Sequence, residues 1–290
     1  MDASQLTNES RFNAMFVGNS GCGKKIAACT FPHPIKYFDM DGRIRGLLGA
    51  SWVERNGIDY KYYPPIRRPS DKMVYQELND DLEQLMIDAG VNRLAYKTIV
   101  LASITGEFYS HLRDATSLTH QFGDKKGENK KGKYIGALAI PDPGDYHFVY
   151  VAIRNVLSFF RSLPGVNVIV MGHTVPRYAK PVVDGEIQPY ADSVVVGSRL
   201  SLTDKAAAEI PTGFDNIFEF SKAFDGQREK FYVQFRSDMA RTTYSKLPPG
   251  VHDITGRNFY EFIQDKISDE TQTASGLVVP SNSLMTPIQK

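Results

Sequence analysis

The sequence predicts an α/β fold: a mainly parallel central sheet flanked by helices, with antiparallel strands along one edge. Two observations predict it. Short apolar runs alternate with helix-length stretches from residue 12 to about residue 174, the pattern of crossover-connected parallel strands. Later, "DNIFEFS" and "KFYVQFR" flank "KAFDGQRE", whose Asp-Gly pair marks a hairpin.

Residues 1–10 are polar and read as a flexible N-terminus. "FNAMFVG" (12–18) is an apolar run ending in Gly, which suits a buried strand. "GNSGCGKK" (18–25) follows, and "KIAACTF" begins a helix that Pro32 and Pro34 stop. "IKYFDMDG" (35–42) reads as a strand with carboxylates at its end, and 51–72 as a Tyr-, Pro- and Arg-rich connection. "MVYQELNDDLEQLMIDA" (73–89) has helical spacing. "YKTIVLASIT" (96–105) reads as a central buried strand, with "GEFYSHLRDA" helical after it. Residues 121–136 are rich in Gly and Lys and read as a mobile loop. A helix at 145–162, the buried strand "NVIVMGHT" (167–174) and, after the hairpin, a short helix "NFYEFIQDKI" complete the series. Residues 266–290 are Ser/Thr/Pro/Gln-rich, as disordered tails are. No linker interrupts 11–265, which reads as one domain.

Bulk properties narrow the function. With 42% hydrophobic and 23% charged residues, the 290-residue chain has the composition of a globular protein. Its net charge of +1 gives no global pull onto nucleic acid, so any such contact must be local. The two cysteines, Cys22 and Cys29, suit neither a zinc site nor a disulfide framework, and a reducing cytoplasm fits them. No apolar run approaches the ~18 residues of a membrane span.

Gly18, Asn19, Ser20, Gly21, Cys22, Gly23, Lys24 and Lys25 carry the sharpest signal, with Ile26 opening the helix. Glycines at this spacing let backbone N–H groups point inward around phosphate oxygens, and Lys24 has the place of the lysine that reaches the β- and γ-phosphates. The apolar strand before and the helix after make the match specific, because a helix N-terminus favours an anion. Two positions depart from the pattern. The residue after the lysine is ordinarily Ser or Thr, a magnesium ligand, and is Lys25 here. A second magnesium-holding carboxylate is expected at the end of "KTIVLASIT", where Ala102 stands. Three explanations fit: a hydrolysis-dead form, a metal held by other carboxylates, or nucleotide bound without metal, with the Lys25 ammonium neutralising phosphate. With no Asp at 102, Lys25 is then expected to face phosphate rather than form an ion pair.

Asp39 and Asp41 end the second strand. Asp41, just before Gly42, is the candidate to orient an attacking water. The alternative is that it caps a helix beginning near Arg43.

With these elements placed, the chain resembles the RecA-like P-loop ATPases of bacteriophages that are linked to single-strand annealing and recombination. The resemblance rests on "GNSGCGKK", "FDMDG", "IVLASIT", "VIVMGHT" and "FDNIFEF…FYVQFRSDMARTTYSKLPPG", in order across about residues 12–250. Only the first is individually specific. It implies a RecA-like P-loop NTPase fold, ATP with Mg2+ as cofactors, and single-stranded DNA as partner. It also implies a homo-oligomeric ring or filament, contact with a single-strand-binding protein, and action in the cytoplasm, the host's for a phage-encoded chain. Within it His173 takes the place of a polar γ-phosphate sensor; the alternative is a histidine satisfied at a strand end. Arg236 and Arg241 are candidates for an arginine supplied to a neighbouring subunit, against plain surface arginines. Lys125, Lys126, Lys130, Lys131 and Lys133 fall where such a fold keeps a DNA-binding loop, against a merely solvated charged loop. A second cluster, Tyr60, Lys61, Tyr62, Tyr63, Arg67 and Arg68, has the composition of a stacking platform, but tyrosines in a Pro-rich connection more often pack on their own domain. A non-hydrolysing nucleotide-binding assembly module is the competing function. A small-molecule kinase ranks lower, because no Arg-rich lid pattern is present.

Overall fold

Alternation along each parallel strand builds two cores. The computed structural model describes residues 12–44, 56–64, 72–123, 134–135, 138–139, 141, 143–183, 186–187, 192–235 and 250–275. β1 (Asn13–Gly18) is buried along its whole length because both sheet faces are covered. Its Met15 and Val17 point to one side, its Ala14 and Phe16 to the other. β2 (Ile35–Asp39), β4 (Thr98–Ala102) and β7 (Asn167–Ala179) divide the same way, Phe38, Leu101 and Val170 against Tyr37, Val100 and Ile169.

The first face is covered by α2 (Val74–Gly90), α3 (Ile104–Gly123), α4 (Pro143–Ser162) and the short α5 (Asp204–Glu209). The second is covered by α1 (Lys24–Ala28) and α6 (Phe259–Ser275). Phe16 sits at the centre of that second core, ringed by Phe31, Phe218, Phe220 and Phe259. Truncating a ring so placed costs about 3–5 kcal/mol.

β11 (Asn216–Phe224) pairs in parallel with β1, and β12 (Glu229–Gln234) and β13 (Val251–Asp253) continue antiparallel to the edge. With β3 (Ile58–Tyr62) at the far edge, the order is β13-β12-β11-β1-β7-β4-β2-β3. β10 (Val194–Leu200) folds antiparallel onto β7 off this path. Two small ribbons, β5 (Tyr134–Ile135) with β6 (Leu138–Ala139) and β8 (Val182–Val183) with β9 (Glu186–Ile187), complete the described strands. The predicted class, a mainly parallel sheet between helices with antiparallel edge strands, is the observed one.

Several elements differ from expectation. The segment read as a connection holds β3, paired in parallel with β2. It is an edge strand, so its polar alternation hid it. α1 ends at Ala28, short of the prolines, because the Thr30 and Phe31 N–H groups turn back to Ala27 and Ala28. α3 runs to Gly123, into the predicted loop, whose residues 124–133 lie outside the described ones. α6 runs to Ser275, and 276–290 lie outside, as do 1–11. Tyr63 is buried against Phe38, and Lys61 pairs with Glu77 and Asp81, so these two belong to the domain's own packing. Among the described residues no helix is long and apolar enough to cross a membrane.

Candidate functional site

Parallel pairing brings the C-terminal ends of β1, β2, β4 and β7 to one edge, where open α/β sheets bind ligands. Gly18 lies in register with His173, and Asp39 with Ala102. The glycine loop crosses this edge. Gly18 has φ 140°, and a Cβ there would stand 2.2 Å from the Phe220 carbonyl oxygen of β11, so the sequence has no alternative to glycine.

Lys24 is buried and its ammonium is drawn back onto the loop, donating to the carbonyls of Gly18 (2.6 Å) and Asn19 (2.8 Å). Burial lowers its pKa, against the opposing influence of the Cys22 thiol and Asp41. Lys25 turns towards β2. Its ammonium is buried, makes no hydrogen bond and lies 3.6 Å from the Asp39 carboxylate. Burial lowers its pKa too, opposed by Asp39 and Asp41. The expectation that Lys25 stays clear of an ion pair is therefore corrected. A buried carboxylate is present, but on β2, one strand over from Ala102.

Asp39 is fully buried. It accepts hydrogen bonds from the backbone N–H groups of Asp41 (3.0 Å), Gly42 (2.9 Å) and Ile44 (3.2 Å), and from the Tyr60 hydroxyl (3.3 Å). Asp39, not Asp41, thus organises the turn after β2. The Asp-x-Asp-Gly spelling of an Asx turn was the signal available in the sequence.

Asp41 instead faces inward. Ser103 donates to its Oδ1 at 3.0 Å, and His173 Nε2–H to its Oδ2 at 3.0 Å. Burial raises the Asp41 pKa, but the His173 and Ser103 hydrogen bonds outweigh it and hold the carboxyl below the usual range. Gly106 of α3 permits this approach, since a Cβ there would fall 2.5 Å from Asp41 Oδ1. Arg43 reaches back to the loop and donates to Ser20 at 2.8 Å.

These groups enclose a cavity of about 310 Å³, lined by residues 20–26 with Asp41, Arg43, Ser103, Met171, His173 and Phe231. The volume and cationic lining suit the phosphate end of a nucleotide. Lys24, Lys25, Asp41 and His173, all singled out in the sequence, meet here. Sequence reading missed Arg43, Ser103 and the organising role of Asp39. The candidate lysines 125, 126, 130, 131 and 133 and the arginines Arg236 and Arg241 lie outside the described residues.

Magnesium's ordinary ligands are missing from this site: Lys25 and Ala102 stand at their two positions, and the Asp41 oxygens accept from Ser103 and His173. An ammonium has donors only and repels a cation, and the Ala102 methyl offers no ligand. The Asp39 oxygens are taken by N–H groups, by Tyr60 and by Lys25. Among the described residues no group of three or more His, Cys, Asp or Glu side chains is placed to hold a metal.

No protein-family model matches the chain, and no curated protein matches it in sequence. Among solved structures it is similar to a KaiC-like protein of the hyperthermophilic archaeon Pyrococcus horikoshii, at 12% identity over 83% of each chain with a TM-score of 0.40.

Proposed function

We infer that this chain is a RecA-like P-loop protein that binds ATP at Gly18–Lys25 and works on single-stranded DNA. One observation carries the nucleotide half. A glycine-rich loop with its lysine drawn inward joins β1 to α1 at the C-terminal edge of a parallel sheet, over a cavity of matching size. In that cavity Asp41 is the carboxylate available to orient a water. His173, bonded to it, is placed to register a γ-phosphate by exchanging that bond. The DNA half rests on the family resemblance and on the lysines between residues 125 and 133, and assembly into a ring or filament rests on the resemblance alone.

Calorimetric titration with ATP tests the nucleotide half. The wild-type chain binds, and Lys24→Ala, shown folded by circular dichroism, weakens binding by about tenfold or more. Absence of binding by the wild type removes the reading. Anisotropy of a labelled oligo-dT tests the DNA half. Affinity should fall with salt and lose about 0.7 of logarithmic slope for each of the five lysines that contacts phosphate. A slope unchanged when all five are replaced by Ala counts against them.

A second reading is a nucleotide-binding module that does not hydrolyse. Lys25 and Ala102 favour it, and ATP turnover measured on the same sample decides between the two.

A further inference from the structure

The misfit between this loop and magnesium has a structural counterpart. Where a metal-dependent site has a hydroxyl and a carboxylate, this site has Lys25, and the carboxylate has moved one strand away. Asp39 stands in register with Ala102 on the neighbouring strand. It is fixed by three backbone N–H groups and holds the Lys25 ammonium at 3.6 Å. That ammonium makes no hydrogen bond, so its N–H donors are unused, and Lys25 lines the same cavity as Lys24. Ala102 belongs to the apolar layer that also holds Ala28 and Cys29, so residue 102 itself offers the ammonium no partner.

We propose that the Lys25 ammonium takes the place of a divalent cation, so that this loop binds a nucleotide polyphosphate as the metal-free anion. The proposal deepens the nucleotide-binding reading and rests on it. Asp39 is the positioning residue. It holds the ammonium from behind while the unused N–H donors turn to the β- and γ-phosphate oxygens. Lys24, Lys25 and Arg43 then surround the phosphates with three cations in one cavity. A magnesium–ATP complex brings a fourth positive centre towards Lys25 and is the poorer ligand. The same substitution that removes a metal ligand thus restores the charge the metal carried.

The test is the affinity of the whole chain for ATP, by calorimetry at matched ionic strength, in EDTA and in excess magnesium chloride. ATP in EDTA is expected to bind at least as tightly as with magnesium, and up to about tenfold tighter. Lys25→Met should weaken the metal-free affinity by about tenfold or more, and Lys25→Arg should retain most of it. Thermal melting reports whether each variant folds. If Lys25→Met does not, the buffer comparison on the wild type and Lys25→Arg decides. Tightening by tenfold or more on adding magnesium overturns the proposal and leaves the nucleotide reading standing. So does a folded Lys25→Met with unchanged affinity in EDTA. No binding in either buffer overturns both.

Discussion

Lys25 and Asp39 meet at 3.6 Å where β2 ends, the Lys25 side chain about one-fifth exposed although its ammonium is buried, the Asp39 carboxylate fully buried. The two ends of this pair are not equivalent. Asp39 has no water to turn to, and its oxygens hold the turn that carries Asp41 and Arg43. The Lys25 side chain reaches nearer the surface. Removing one partner of a buried pair costs more than the pair contributes, because the other is left uncompensated.

Asp39→Asn is therefore expected to cost about 3 kcal/mol, since an amide NH2 must face backbone N–H donors and the Lys25 charge loses its counter-ion. Lys25→Met should cost only about 1 kcal/mol, because the carboxylate keeps its three N–H donors. Urea unfolding of both variants gives the order. A costlier Lys25→Met would mean that the ammonium, not the turn, holds this end of β2.

What the sequence made legible follows from what each residue touches. β1, β4 and β7 show as apolar runs because both of their faces are covered, and "GNSGCGKK" shows because its chemistry is local. β3 did not show. Its Asp59 and Lys61 face Lys36, Glu77 and Asp81 at an edge, where no continuous apolar run is needed. β10 escaped for a similar reason, pairing among the described residues with β7 alone and leaving Val194 and Val195 exposed. The Lys25–Asp39 contact was illegible in principle. It depends on β2 lying beside β4 with Asp39 level with Ala102, a register that no stretch of sequence states. The departures at Lys25 and Ala102 were visible, but their shared consequence emerges only when the strands are side by side.

Asp41 sets an acid limit. Its pKa in the folded chain is depressed below that of an exposed carboxylate, by the His173 and Ser103 hydrogen bonds acting against burial. A depressed carboxyl contributes stability that is present above its unfolded value, about 3.9, and is lost as pH falls through the folded value. Asp41→Asn should remove about 1.5 kcal/mol at neutral pH and flatten the stability profile below pH ~4. Chemical denaturation from pH 3 to 7 compares the two curves. Parallel curves would show that Asp41 titrates alike in both states.

Gly18→Ala tests the close approach of the loop to β11. The new methyl would meet the Phe220 carbonyl at 2.2 Å from a φ of 140°. Neither partner is a flexible side-chain end, so the backbone must shift. The expected loss is about 3 kcal/mol or more, from strain and overpacking together. A variant within 1 kcal/mol of wild type by urea denaturation would mean that the loop and β11 separate easily.

The two lysines give the opposite pH signature to Asp41. Burial holds both Lys24 and Lys25 below the ordinary lysine value of 10.5. Between the lowered folded values and that unfolded value the unfolded chain binds more protons, so stability should rise with pH across this alkaline window. Polyphosphate binding works the other way. Phosphate oxygens favour the charged ammonium, so binding raises both pKa values and takes up protons where the lysines are partly neutral. ATP affinity should then decline as pH climbs through the lowered lysine range while the unliganded chain grows more stable. Calorimetry at alkaline pH in two buffers of different ionisation enthalpy measures the proton uptake directly. Uptake of protons that disappears in Lys25→Met assigns the larger share to Lys25. No uptake in the wild type would mean that both ammonium groups are fully charged before the nucleotide arrives.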